Sequence, residues 1–191
     1  MFSKETYITR RAELKKLTES GLILIFGNND SPANYPANAY KFRQDSTFLY
    51  FFGWQRDGLV GVIDVDNDRE YFVGDEIDID DIVWYGSVTS VGEMAARVGV
   101  ARTAKMRELQ NIVDAAKSSG QEIHFLPPYR FDTKIQIMDL LGLHPAVQKE
   151  AASRKLIDAV VKLRSTKSEE EIAELERAAR IGYEMHTAAM R

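Results

Sequence analysis

The chain has 191 residues, of which 45% are hydrophobic and 28% are charged, and this balance excludes an intrinsically disordered protein. Its length fits one domain of ordinary size, or one domain with a piece of another. The formal net charge is −4 and the basic residues are scattered along the chain, which argues against nucleic acid as a partner. Cysteine is absent, so disulfides and thiolate chemistry are excluded.

Hydrophobic segments bear on the location of the protein. Residues 1–5 have no signal-like apolar core, and no apolar run of the sequence is long enough to cross a bilayer. We therefore expect a cytoplasmic protein that has no membrane partner.

The first two elements are a helix and a strand. Residues 4–20 show an apolar stripe on an otherwise charged segment, which predicts an amphipathic helix. Residues 22–26 form a continuous apolar run between Gly21 and Gly27, and this pattern is typical of a central strand covered on both faces. Turn-forming residues follow, and they predict a loop over residues 28–36.

A polar step and a dense aromatic segment come next. The polar step, residues 43–46, reads Arg-Gln-Asp-Ser. The aromatic residues that follow it are Phe48, Tyr50, Phe51 and Phe52. They predict a strand buried on both faces, which ends at Gly53. Two interpretations of the polar step stay open: a buried corner whose polar groups satisfy one another, or a rim that faces a substrate or a neighbouring subunit.

Two more strands are predicted after this segment. Residues 59–64 and residues 70–73 are apolar and partly β-branched. The Asn- and Asp-rich residues 65–69 between them predict a hairpin connection.

The chain then alternates between helical and extended patterns. Helices are predicted over residues 90–98 and 103–118, the second with Thr103 as its cap. Residues 122–126 predict a short strand, and residues 130–141 predict a helix that ends at a glycine. The alternation predicts an α/β fold in which a mixed β-sheet is flanked by helices.

The last segment is predicted to be a well-capped helix. Ser168 stands at the N-cap and Glu171 at N3, which is a capping box. The helix is expected to run from Glu169 to near the end of the chain. One of its faces carries Ile172, Leu175, Ala179 and Gly182. No stop signal precedes Arg191, so we expect the natural chain to continue beyond it.

Signatures of catalysis are weak. The three histidines, His124, His144 and His186, show no metal-ligand spacing. His124 belongs to an apolar strand and is expected to be a hydrogen-bonded core residue. No nucleophile motif and no glycine-rich phosphate loop occur. These residues alone do not assemble an active site.

Two further features carry open alternatives. The acidic run over residues 75–81 could bind a hard cation, but it lacks EF-hand spacing, so a solvated acidic edge or loop is the favoured interpretation. Trp84 and Tyr85 stand beside a glycine turn. Trp84 is either a core tryptophan or an interface aromatic, because Trp and Tyr supply rigid contact area with a polar handle.

Three stretches, taken in order, resemble the N-terminal domain of the Xaa-Pro aminopeptidases (aminopeptidase P), in the creatinase/prolidase or pita-bread superfamily. The first stretch, residues 42–53, contains the Arg-Gln-Asp-Ser step and the aromatic segment. The second, residues 82–86, reads Ile-Val-Trp-Tyr-Gly. The third covers residues 161–172 and continues through residues 177–179 and 186–187. Together they extend the resemblance over nearly the whole chain.

The resemblance implies a domain division and a parent activity. Residues 1–160 would be the N-terminal domain, and residues 161–191 the linker and first helix of a truncated pita-bread catalytic domain. The parent would release N-terminal residues that precede proline, using two manganese ions held by two Asp, two Glu and one His. None of those ligands can be placed on this chain, which we expect to bind no cofactor and to be inactive by itself.

The resemblance also implies partners and site residues. The domain would contact its own catalytic domain, take part in a homo-oligomer (a dimer or a tetramer) and help to control access of Xaa-Pro peptides to the active site. Trp84 matches a tryptophan that looks toward a neighbouring subunit's site, and Tyr85, Arg43 and Asp45 are the further candidates. Residues 34–39 lack the acidic residues that family members often carry there, which puts a contact to the substrate's amino group in doubt.

Two alternatives to an Xaa-Pro aminopeptidase parent stay open. The parent could be a prolidase or a creatinase-type hydrolase, which shares the architecture. It could also be a peptide-binding or interaction module, from a pita-bread protein that lacks metal ligands.

Overall fold

A computed structural model describes residues 1–77, 83, 86 and 88–191. The strands in this part of the chain are β1 (Leu22–Phe26), β2 (Pro32–Tyr35), β3 (Asn38–Ala39), β4 (Val60–Asp64), β5 (Arg69–Val73), β6 (Arg102–Ala104) and β7 (Ile123–Phe125). The helices are α1 (Lys4–Thr18), α2 (Ser46–Phe52), α3 (Val91–Arg97), α4 (Leu109–Ser118), α5 (Phe131–Leu141), α6 (Gln148–Ala151), α7 (Arg154–Ser165) and α8 (Glu169–Ala189).

The main sheet has five strands in the order β6-β5-β4-β1-β7. Strand β4 is antiparallel to both of its neighbours, with Val62 opposite Leu24 of β1 and opposite Tyr71 of β5. The outer pairs, β1 with β7 and β5 with β6, are parallel. The predicted α/β fold with a mixed sheet is therefore confirmed.

Helices cover both faces of the sheet. On β1, Ile23 and Ile25 point to one face and Leu22 and Leu24 to the other, and all four are buried. The first face packs against residues of α1, α2, α3 and α7. The second packs against residues of α4 and α5. The prediction of a central strand at residues 22–26, covered on both faces, is confirmed.

The predicted strand at residues 48–52 is wrong, because this segment is helix α2. The carboxylate of Asp45 accepts hydrogen bonds from the backbone N–H groups of Thr47 (2.8 Å) and Phe48 (2.9 Å), which starts the helix. Phe48, Phe51 and Phe52 are spaced i, i+3 and i+4, so the turn of the helix brings all three to the core. Gly53, at φ 69°, ends the helix. These start and stop signals override the β preference of the aromatic residues.

Two other predicted boundaries also need correction. Thr103 does not cap a helix, because it lies in strand β6 and pairs with Phe72 of β5. Helix α4 begins only at Leu109, after a short 3-10 turn. The predicted loop at residues 28–36 contains strand β2, which pairs with β3 in a small hairpin. A hydrogen bond from the Tyr40 N–H to the Ser31 carbonyl (2.9 Å) closes this hairpin.

A buried arginine links four elements on the first face of the sheet. Arg11 of α1 is 0% exposed. Its Nε donates to Glu70 Oε2 of β5 (2.8 Å), and its two terminal nitrogens donate to the carbonyls of Phe51 (3.0 Å) and Val98 (2.8 Å). Those carbonyls lie at the C-terminal ends of α2 and α3, where a cation offsets the helix dipoles. Burial lowers the pKa of the Arg11 guanidinium, and Glu70 opposes that shift.

Helix α8 begins at the predicted residue, but its side chains make little packing contact with the rest of the described chain. Ser168 and Glu171 form the predicted capping box. No residue of α8 is buried, and Ile172, Leu175 and Ile181 are each about half exposed. The predicted apolar face therefore has no cover from the described part of the chain.

Candidate functional site

The polar step is held in place by Gln44, which is 3% exposed. Its Oε1 accepts hydrogen bonds from the backbone N–H of Asn28 (2.6 Å) and of Asp45 (2.9 Å). Its Nε2 donates to the carbonyl of Arg56. A buried amide with every group paired fixes three loop segments to one another. For Gln44 these bonds favour the interpretation of a corner whose polar groups satisfy one another.

Asp45 is also committed to the fold. One carboxylate oxygen caps α2, and the other accepts a hydrogen bond from the Tyr129 hydroxyl (3.1 Å). The same hydroxyl lies 3.3 Å from the side-chain oxygen of Asn28. Burial raises the pKa of Tyr129, the hydrogen bond with Asn28 opposes that shift, and Asp45 adds to it. Asp45 thus joins the polar step to the segment that follows β7.

Replacing Asp45 with alanine should lower the free energy of unfolding by about 1–2 kcal/mol, because the N-cap bonds of α2 are lost. Urea unfolding followed by circular dichroism measures this change. Asp57→Ala is the matched control, since Asp57 is exposed and caps no helix; we expect a shift within about 0.5 kcal/mol. If both variants have the same free energy of unfolding, the Asp45 carboxylate does not stabilise the fold. That result would favour the interpretation of the polar step as a rim that faces a substrate or a neighbouring subunit.

Arg43 differs from its neighbours because it is exposed. Its backbone carbonyl accepts a hydrogen bond from Asn28 Nδ2 (2.8 Å). Its guanidinium forms no hydrogen bond or ion pair with any of the residues that the structure describes. Of the two charged side chains in the polar step, Arg43 is therefore the one that is available to an outside group. The interface roles predicted for Arg43 and Asp45 stay predictions.

The other two predicted site residues, Trp84 and Tyr85, lie outside the described residues, as do residues 78–81 of the acidic run. The first acids of that run are described. Asp75 Oδ1 accepts a hydrogen bond from the Met106 N–H (3.0 Å), and the Glu76 carboxylate accepts one from the Val91 N–H at the start of α3. Both side chains are exposed, as predicted for an acidic edge.

An open cleft of about 620 Å3 lies next to these acids. The charged residues in its wall are Asp30, Arg56, Asp57, Asp75 and Glu76. Burial raises the pKa of Asp30, and the nearby Asp57 adds to the shift while Arg130 opposes it. The Arg56 guanidinium donates to the carbonyl of Asp75. The cleft therefore offers charged and hydrogen-bonding groups to a ligand.

The structure gives no candidate metal centre in residues 1–77, 83, 86 and 88–191, where no three His, Asp or Glu side chains come together. His124 is fully buried, with Nδ1 2.7 Å from the Ser153 hydroxyl and Nε2 3.0 Å from the Ser20 carbonyl. This confirms the prediction of a hydrogen-bonded core histidine. The side chains of the described residues do not fit the two-metal site that the resemblance implies for a catalytic domain.

Gln44 and Asp45 form a polar corner with their partners Asn28, Arg56 and Tyr129. The sequence did not reveal these three partners. Asn28 was visible only as a turn residue, Arg56 carried no motif, and Tyr129 followed two prolines. Each of the three is separated by more than ten residues of sequence from the group to which it bonds. Tyr129, for example, lies 101 residues after Asn28. No local pattern reports such pairings.

No helix of the described residues combines the length and the apolar character that crossing a membrane requires.

Comparison with known proteins gives a consistent result. A family model described as "Aminopeptidase P, N-terminal domain" matches residues 7–124. The chain is similar to the low-pH form of aminopeptidase P from E. coli, with a TM-score of 0.79, 23% identity and coverage of 100% of this chain and 45% of that one. It is also similar to zinc-substituted E. coli aminopeptidase P in complex with product, with a TM-score of 0.77, 22% identity and coverage of 99% and 45%.

At these identities the two structures show a shared fold alone. The chain spans less than half the length of either solved protein. No curated protein sequence matches the chain.

Proposed function

The chain belongs to the family of aminopeptidase P N-terminal domains, and we propose that it serves as the non-catalytic N-terminal domain of a dinuclear-metal Xaa-Pro aminopeptidase. The observation that carries this proposal is the match of the family model to residues 7–124. Manganese as the metal is part of the proposal.

The domain division belongs to the same proposal. Residues 1–160 form the N-terminal domain, and residues 161–191 the linker and first helix of the catalytic domain. The exposed apolar face of α8 supports this division, because a 21-residue helix with no buried residue needs a further packing partner. The catalytic domain is the partner that we propose for it.

The activity test compares the 191-residue chain with the product of the gene read beyond Arg191. With manganese and an Xaa-Pro peptide, the chain alone should give no turnover above the blank. The longer product should cleave the peptide in a metal-dependent way, and its added sequence should contain the two Asp, two Glu and one His of a dinuclear site. Metal-dependent cleavage by the 191-residue chain would overturn the proposal.

The same test separates the alternatives. A longer product whose metal ligands are replaced would be a peptide-binding or interaction module. One that carries the ligands but cleaves only other substrates would be a prolidase or a creatinase-type hydrolase. The cytoplasmic location stays a prediction.

We extend the proposal to oligomerisation and active-site access through the region of Trp84 and Tyr85. This part rests on the sequence, which places a large aromatic pair beside a glycine turn. Trp84→Ala should shift the sedimentation profile toward the monomer, and Trp54→Phe, at a partly buried tryptophan, is the control. Identical profiles for Trp84→Ala and the unmodified chain would remove this part.

A further inference from the structure

A cavity of about 250 Å3 lies where α1, α2 and α7 meet the start of α8. We call it the junction cavity, and its polar lining residues are Arg10, Ser46, Tyr50, Arg164, Lys167 and Glu171. Three of these six side chains are cationic and one is anionic. The cavity shares Ser46 with the polar step, but none of its lining residues belongs to the acidic cleft.

Arg10 is the buried member of the junction cavity. It is 7% exposed, and its guanidinium lies 4.0 Å from the centre of the Tyr50 ring. Its Nη1 donates to the carbonyl of Tyr50 (2.9 Å). Its Nη2 is shielded from solvent and forms an ion pair with Glu171 Oε1 (3.3 Å), but it makes no well-directed hydrogen bond with the described residues. Glu171 offsets the charge, and the N–H groups of this buried nitrogen are left open to an acceptor that is better placed.

Arg164 and Lys167 supply two more cations at the same cavity. The Arg164 guanidinium lies 5.9 Å from the centre of the Tyr50 ring. Among the described residues it donates to neutral oxygens alone, the hydroxyls of Thr47 (3.1 Å) and Ser46 (3.3 Å). Lys167 donates to the carbonyl of Arg164. Neither side chain has an ion-pair partner among the described residues.

Charge and geometry together define the ligand class. One carboxylate, Glu171, faces three cations across the cavity, and the neighbouring Glu170 is bonded instead to the Thr6 hydroxyl (2.7 Å). Arginine forks match the oxygens of phosphates and carboxylates, and such charge-assisted hydrogen bonds are stronger than neutral ones. We propose that the junction cavity is a binding site for a small oxyanion, held by Arg10 Nη2, Arg164 and Lys167.

The oxyanion can come from a free phosphate or from a carboxylate, such as the end of a peptide. Both classes present the paired oxygens that the guanidinium groups require. Their charges differ, since phosphate is largely dianionic above its second pKa of about 6 and a carboxylate carries a single charge. Inorganic phosphate and acetate are therefore the two probes.

Isothermal titration of the 191-residue chain at pH 7.5, with ionic strength held constant by chloride, tests the site. The unmodified chain should bind at least one of the two probes with a saturable isotherm. Arg164→Gln should weaken that binding at least about tenfold, because a charge-assisted hydrogen bond and a cation are lost. Glu171→Gln should tighten it several-fold, because the only carboxylate in the lining is removed while glutamine still completes the capping box.

Arg154→Gln is the matched control, since Arg154 lies on α7 with a side chain that is 84% exposed and pairs with Asp158. It should bind the probe as the unmodified chain does. Should Arg164→Gln fail to fold by circular dichroism, Lys167→Gln at an exposed position takes its place, with about a threefold loss expected. Tighter binding of phosphate identifies a dianion site, and equal or tighter binding of acetate identifies a carboxylate site.

Two results would overturn the proposal. One is the absence of saturable heat for both probes with the unmodified chain. The other is equal binding by the Arg164→Gln or Lys167→Gln variant and by the Arg154→Gln control. Neither result bears on the activity of a longer gene product, so the outcome is independent of the proposed function.

Discussion

Replacing Arg11 with methionine should lower the free energy of unfolding by about 3–5 kcal/mol, as expected when one partner of a buried ion pair is removed. Methionine fills similar space but donates no hydrogen bond. The carbonyls of Phe51 and Val98 would lose their donor, and Glu70 would keep only Lys15 as a cation, 3.1 Å away. Urea unfolding monitored by circular dichroism and by tryptophan fluorescence gives the measurement.

Two companion variants show whether shape or charge matters at this position. Arg11→Lys keeps the charge but cannot reach three acceptors as a planar fork, so we expect it to lose about 2 kcal/mol. Arg154→Met changes an exposed arginine and should shift the free energy by less than about 0.5 kcal/mol. A loss under about 1 kcal/mol for Arg11→Met would show that the buried bonds contribute little.

Gly61→Ala should be the second large effect, with a loss of about 3 kcal/mol in the free energy of unfolding. Gly61 lies in the inner strand β4, where it pairs with Ile25 and Phe72. A Cβ atom at this position would overlap the ring of Phe52. That ring is itself stacked 5.3 Å from Phe48 and fully buried, so it has no free space to move into.

The control for Gly61 is another glycine with open surroundings. Gly92 lies in α3, and a Cβ atom there would meet nothing within 4 Å. Gly92→Ala should leave stability unchanged or raise it by up to about 1 kcal/mol, because alanine favours the helix. The same urea titration compares both variants. Equal midpoints for the two would contradict the tight contact between β4 and α2.

Elements whose signals are local were predictable from the sequence. The capping box at Ser168 and Glu171 begins α8 where predicted, because both partners lie within one turn. The apolar run at residues 22–26 became the covered strand β1, because its length and its flanking glycines are local as well. The mixed sheet then followed from the alternation of elements.

Elements fixed by long-range partners were not predictable in the same way. Helix α2 was predicted wrongly for a different reason: its cap at Asp45 and its stop at Gly53 are local signals, but the aromatic content of the segment favours a strand. Strand β6 forms because it can pair with the edge of β5 in parallel. The sequence around Thr103 does not show this partner, and the prediction that Thr103 caps a helix is therefore wrong. Arg11 looked like any charged residue of α1, and its partners lie 40 to 87 residues away.

The candidate site was predictable only in part. The sequence located the polar step, but the hydrogen bonds of Gln44 and Asp45 depend on Asn28 and Tyr129, which no motif connects to it. Trp84 and Tyr85 were chosen on a resemblance and lie outside the described residues. Of the two predicted site residues that the structure describes, Arg43 has the exposed side chain.

The shallow attachment of α8 has a mechanical consequence. A helix of 21 residues is about 31 Å long, and near its start it is joined to α1 by the contacts of Glu170 and Glu171. Because α8 is held near one end, a rotation of about 10° at the residues before Glu169 would move its other end by about 5 Å. Small changes at Thr6 or Arg10 would therefore be amplified along its length. The contacts of Glu170 with Thr6 and of Glu171 with Arg10 therefore contribute to the orientation of α8.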